Sequence, residues 1–165
     1  MTAFSAGLFF CFVILCVCRF GLLSCYSAYG PRWMDLSSVP GFNWWSVVTT
    51  FTALLLVPPL IEAGNGSAWQ FFGFLCPALI AFVGLTPDYG RNKLAGRVHT
   101  VCAALGALFS VLFIVCVYPH LWWVPTGYAV IAAIATLRAG LWSWCFWFEM
   151  AAYLAIFTTM FLIIA

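Results

Sequence analysis

The chain has 165 residues, 66% of them hydrophobic, 19% aromatic and only 6% charged, with a net charge of +2. A water-soluble domain carries roughly 25% charged residues, so water is excluded as the main solvent of this surface. The near-neutral balance excludes nucleic acid as a partner. What remains is an all-α membrane protein, a single polytopic domain over residues 1–165 whose side chains meet the lipid bilayer or one another.

In chain order, six apolar stretches are expected to form membrane-spanning helices, at about 3–29, 42–61, 69–85, 98–117, 122–137 and 141–165. A bilayer core needs roughly 20 apolar helical residues, and the period-two alternation of strands is absent. The fifth stretch is short by this measure and reads as a tilted or partial span. Polar breaks separate the stretches. The first contains Pro31, Arg32, Asp35, Pro40 and Gly41, and the second is Glu62 followed by Gly64-Asn65-Gly66. Asn65-Gly66-Ser67 fits a glycosylation sequon but is read as a tight turn. The longest hydrophilic break, residues 86–97, precedes the fourth stretch and is read as a topology-setting loop, with a lid or docking role as the alternative.

Every basic residue falls beside an odd-numbered break: Arg19, Arg32, Arg91, Lys93, Arg97 and Arg138. With six spans they share one face, which the positive-inside rule makes cytoplasmic, leaving both termini outside (N-out/C-out). A bacterial inner membrane is the expected location. Tryptophans form two expected belts, Trp33, Trp44, Trp45, Trp142 and Trp144 at the basic face and Trp69, Trp122 and Trp123 at the other. Pro77 in the third stretch and Pro58-Pro59 in the second are expected kinks, because each removes a helical hydrogen bond.

Glu149 is the one acid placed well inside an apolar run, about eight residues into the last stretch, which puts it near 12 Å deep. A carboxylate there must face other helices or a wet cavity and needs a partner. Arg19, at similar depth on an antiparallel first helix, is the expected partner. Two readings stay open: a structural ion pair, or a proton, ion or ligand site. His99 opens the fourth helix, with Cys102, Ala103, Gly106 and Ser110 on its face, and reads either as a titratable ligand-binding group or as a hydrogen-bonded helix-start residue.

Eight cysteines are present, with no CxxC and no Cys/His spacing suited to a metal. They read as small packing residues, and no metal or cofactor is expected. Catalytic signatures such as GxSxG, HExxH, a P-loop or GxGxxG are absent. The first and fourth, second and fifth, and third and sixth stretches resemble one another, a weak signal for a 3+3 inverted repeat of the kind found in transporters. These features favour a small multi-pass protein that binds or transports a small solute, ion or lipid through a polar intramembrane site. The alternatives are a non-catalytic subunit of a membrane complex, or an integral-membrane enzyme. A homo-oligomer is compatible with each.

Overall fold

A computed structural model describes residues 1–37 and 43–164. Among them there is no strand, and seven α-helices follow in order: α1 (Thr2–Phe20), α2 (Tyr29–Leu36), α3 (Trp44–Ala63), α4 (Phe71–Gly84), α5 (Lys93–Val117), α6 (Trp123–Ala139) and α7 (Trp144–Ile164). Short 3₁₀ turns at Tyr26–Ala28, Pro119–Leu121 and Leu141–Ser143 precede α2, α6 and α7. Five helical segments are long and apolar enough to cross a membrane: Thr2–Phe20, Trp44–Ala63, Lys93–Val117, Pro119–Ala139 and Leu141–Ile164. The chain is thus an integral membrane bundle in its helices and its surface, which carries exposed Phe4, Ile14, Leu54, Phe74, Ile131 and Leu137.

The first apolar stretch is not one helix to residue 29. It stops at Phe20, because Gly21 adopts φ 75°, a left-handed value that costs glycine nothing. The chain then turns back under the bundle before α2 begins. The expected polar turn at Pro31, Arg32 and Asp35 is therefore helical, while Pro40, Gly41 and Phe42 lie outside the described residues, as does Ala165. The fourth helix starts at Lys93 rather than 98. Asn92 caps it by accepting from the N–H of Leu94 (2.9 Å) and Ala95 (3.3 Å), so Lys93 and Arg97 belong to its first turns while Arg91 precedes the cap.

Helix α4 is the packing centre of α3 and α5. A Cβ on Gly84 would lie 2.5 Å from Thr50 Oγ1 and 2.9 Å from Thr50 N, and one on Gly73 would lie 2.8 Å from the Leu60 carbonyl oxygen. Only bare backbone permits these approaches, the small-residue solution to packing helices where lipid supplies no hydrophobic drive. Pro77 is buried inside α4, and Pro58 and Pro59 lie inside α3. The far end of α3 is tied down by side chains: Gln70 Nε2 donates to the Ile61 carbonyl at 2.8 Å and Tyr118 Oη to the Ala63 carbonyl at 2.5 Å. These bonds satisfy orphan carbonyls that apolar surroundings would leave unpaired.

Helix α1 packs on α3 and α6 on α7. Ser5 Oγ donates to the Thr52 carbonyl at 3.0 Å, fixing α1 against α3. Helices α5 and α6, which an inverted repeat would pair in the same way, stand apart along their lengths. Of the tryptophans, Trp44, Trp69, Trp122, Trp123, Trp142 and Trp144 are exposed, as belts require. Trp45 departs from its expected place. It is fully buried, because Asn43 caps α3 through the Trp45 N–H (2.9 Å) and bonds the Gly30 carbonyl (2.8 Å), turning that side chain inward. Trp33 is half-buried against Phe12 and Phe20.

A candidate ligand cleft and its polar end

The segment after α1 forms one wall of the site. Tyr29 Oη donates to the Gly21 carbonyl at 2.8 Å, and the Phe146 N–H donates to the Ser24 carbonyl at 3.0 Å. Those two bonds lay residues 22–27 along the start of α7. Tyr26 anchors it: its ring is buried among Phe9, Tyr29, Trp45 and Tyr153, and its hydroxyl meets Thr49 Oγ1 at 3.0 Å. Non-helical backbone within a membrane bundle is tolerated where protein or a cavity covers it, and here it supplies donors.

Those donors go to Glu149. The Tyr26 N–H lies 2.5 Å from Oε2, and Ser27 Oγ lies 3.4 Å from Oε1. Glu149 lies about 8 Å into α7 at 1.5 Å per residue, with the 3₁₀ turn Leu141–Ser143 leading into the same apolar segment. Arg19 is not its partner. It is exposed on the last turn of α1, where its long side chain reaches solvent or headgroups, and backbone N–H groups perform the role expected of it. The one ion pair among the described residues is Arg91–Asp35, 2.5 Å apart and exposed.

Two thiols join the carboxylate. Cys145 is one helical turn before Glu149 on α7, and Cys25 comes from the turned-back segment. Their Sγ atoms and a Glu149 oxygen all lie within 4.8 Å of one another. Ser27 Oγ is 3.3 Å from Cys25 Sγ, and Tyr89 Oη is 3.8 Å from the same sulfur. Burial raises the Tyr89 phenol above its ordinary pKa, so it stays a neutral donor. The spacing of residues 25, 145 and 149 carries no motif, and sequence reasoning read these cysteines as packing. The i, i+4 pairing of Cys145 with Glu149 was the only available signal.

His99 is buried, stacked on Tyr89 with ring centroids 4.2 Å apart and facing Trp45 on another side. Its Nδ1 is 3.1 Å from Thr86 Oγ1, which also lies 3.0 Å from the carbonyl oxygens of Phe82 and Val83. Thr86 has one proton, and those carbonyls can only accept it. The Thr86 hydroxyl therefore either accepts from a protonated Nδ1 or donates to a bare one, according to the imidazole tautomer. Nε2 is buried with no hydrogen-bond partner.

His99, Tyr89, Cys25, Cys145 and Glu149 all line one cleft of about 510 Å³ between α5, α6 and α7, within the size range of small-molecule pockets. Its remaining walls are mostly apolar and small, including Ala104, Ala107, Val111, Ala129 and Ala155. Ala104, Ala107 and Ala129 are exposed, so the cleft opens through the side of the bundle. From His99 to Val111 it follows α5 for about 18 Å. A second cavity of about 50 Å³ lies behind Glu149, lined also by Tyr26, Gly106, Ser110 and Tyr153, with room for water. Of the sequence-derived candidates, Glu149 and His99 thus share one site, whereas Arg19 and the prolines do not line it. No protein-family model, curated protein or solved structure matches this chain.

Proposed function

We propose that the protein binds a small amphipathic molecule in the α5–α6–α7 cleft, entering from the bilayer, with its head group at Glu149 and His99. The observation that carries this reading is the cleft's polarity. Unpaired or acceptor-rich groups gather at one end, and a channel of alanines runs from them toward the lipid-facing side. Glu149 accepts from the Tyr26 N–H and His99 Nε2 is buried without a partner, and a hydroxyl or an amine, which donates to the carboxylate, is the head group that suits them. The rings of Tyr89, Trp144 and Phe148 line the same end and favour a cation there.

The accompanying threading is six crossings, with α4 as a short span and the basic end in the cytoplasm of a bacterial-type inner membrane. Both termini then face the opposite side. The support is the distribution of Lys and Arg.

The test is occupancy. Protein extracted in mild detergent should carry a single-chain amphiphile in native mass spectrometry, and should bind dodecylamine or dodecanol. Ala104→Phe and Ala129→Phe fill the cleft from exposed positions and should weaken that binding at least tenfold without loss of folding. Binding that survives both substitutions rules this site out. An empty cleft in a chain that isolates only with a second membrane protein supports the subunit role instead. Uptake of the probe into vesicles containing the protein distinguishes transport from binding.

A further inference from the structure

We infer that Cys25, Cys145 and Glu149 form a binding site for a thiophilic divalent cation of the zinc class, at the polar end of the cleft. Three donors from two separated parts of the chain already lie within 4.8 Å of one another. A tetrahedral zinc ion, with bonds of about 2.3 Å to sulfur and 2.0–2.2 Å to oxygen, holds its ligands about 3.5–3.8 Å apart. Closing the remaining gap takes about 1 Å of side-chain rotation. Two sulfurs select against calcium and magnesium, which prefer all-oxygen cages.

The surroundings are those of a metal site rather than a chance cluster. Zinc ligands are held by outer hydrogen bonds, and here each of two ligands has them. Glu149 accepts from the Tyr26 N–H and lies in reach of the Ser27 hydroxyl, and Cys25 has Ser27 and Tyr89 beside its sulfur. The Ser27 hydroxyl has one proton and serves either Cys25 or Glu149 at a time. Three protein ligands leave a fourth position, and because all three line the cleft, that position opens toward it. This is the ligand count of zinc sites that bind an exogenous molecule. Uptake of the ion displaces the two thiol protons to bulk solvent. The inference stands independently of which amphiphile, if any, fills the cleft, since it is read with the metal alone.

The experiment uses the full chain in detergent, reduced with a phosphine, and titrated with Cd²⁺ as a spectroscopic stand-in and with Zn²⁺. The expected result is one high-affinity ion per chain with thiolate-to-metal charge-transfer absorption. Cys25→Ser or Cys145→Ser should each remove about half of that band, and Glu149→Gln should keep the band while weakening the dissociation constant. Ser27→Ala should weaken it roughly 10–100-fold, as loss of an outer-shell partner does. Titration of the Cys25→Ser/Cys145→Ser double variant reports any background from the other six cysteines, and a wild-type curve there overturns the site. Alkylation mapped by mass spectrometry needs no variant. Metal should protect Cys25 and Cys145 while the exposed Cys11 and Cys18 still react. Equal labelling of Cys25 and Cys145 with and without metal, or a disulfide joining them in freshly isolated protein, defeats the proposal.

Discussion

The backbone N–H of Tyr26 lies 2.5 Å from Oε2 of Glu149, so the acid of α7 is answered by main chain rather than by a cation. A buried N–H left without its acceptor costs about 1–3 kcal/mol. Glu149→Ala, in metal-free protein, should lower stability by that amount, and Glu149→Gln by less, because the amide still offers an oxygen. Arg19→Gln should change stability by less than about 0.5 kcal/mol, as exposed substitutions do. Thermal unfolding of all three variants, with the Arg19→Gln/Glu149→Gln pair, gives the coupling. A coupling energy above about 0.5 kcal/mol would show that the two side chains interact after all.

The close approach of α4 to α3 makes a second expectation. In Gly84→Ala the new methyl would sit 2.5 Å from Thr50 Oγ1 and 2.9 Å from Thr50 N. The hydroxyl can rotate away, but backbone cannot, so the helices must separate. Overpacking of this kind costs about 1–3 kcal/mol, and Gly73→Ala, facing the Leu60 carbonyl, should cost a similar amount. Gly127 on α6 has nothing within 4 Å of an added Cβ. Gly127→Ala should therefore be neutral or stabilise by about 0.4–1 kcal/mol. Melting temperatures that do not separate Gly84→Ala from Gly127→Ala would refute this packing.

The positions of these helices were largely legible because apolar runs of the right length have one solution in a bilayer. The breaks were less so. Nothing in a run from Ala3 to Tyr29 distinguishes a continuous helix from one stopped at Gly21, since glycine is common inside membrane helices and only the tertiary bonds to Tyr29 and Phe146 reward the break. Glu149 and His99 were legible as isolated polar residues in apolar helices. Their partners were not, because main-chain donors leave no side-chain signature and Cys25 is over a hundred residues from Cys145. Trp45 looked like an interface residue from composition, and its burial depends on which way the Asn43 cap sets the first turn of α3.

The two asparagine caps should differ in weight. Asn92 caps α5 from an exposed position, and its replacement by Ala should cost about 1 kcal/mol, the usual value for a helix N-cap. Asn43 is buried, caps α3 and also donates to the Gly30 carbonyl. Asn43→Ala therefore removes a further buried hydrogen bond and should cost about 1 kcal/mol more than Asn92→Ala. The difference between their unfolding free energies is the measurement, and equal losses would mean the Gly30 bond contributes nothing.

Helix α4 has 14 residues, about 21 Å of helix, against a hydrocarbon core about 30 Å thick. A short span can thin the bilayer or draw on flanking turns, and α4 is also shielded by α3 and α5 on either side. The proposed six-crossing threading has it cross, because Arg32 and Arg91 lie before and after the α3–α4 pair, and the hydrogen-bonded pair of Arg91 with Asp35 holds those two segments at one end of the bundle. The turn at Asn65-Gly66 and the end at Tyr118 are joined at the other through Gln70, Ala63 and Tyr118. A small epitope inserted after Gly66 should therefore be reached by impermeant reagent from outside intact cells, and one inserted after Gly90 only after permeabilisation. Should both sites label from the same side, α4 does not cross, and the positive residues must be redistributed over a five-span threading.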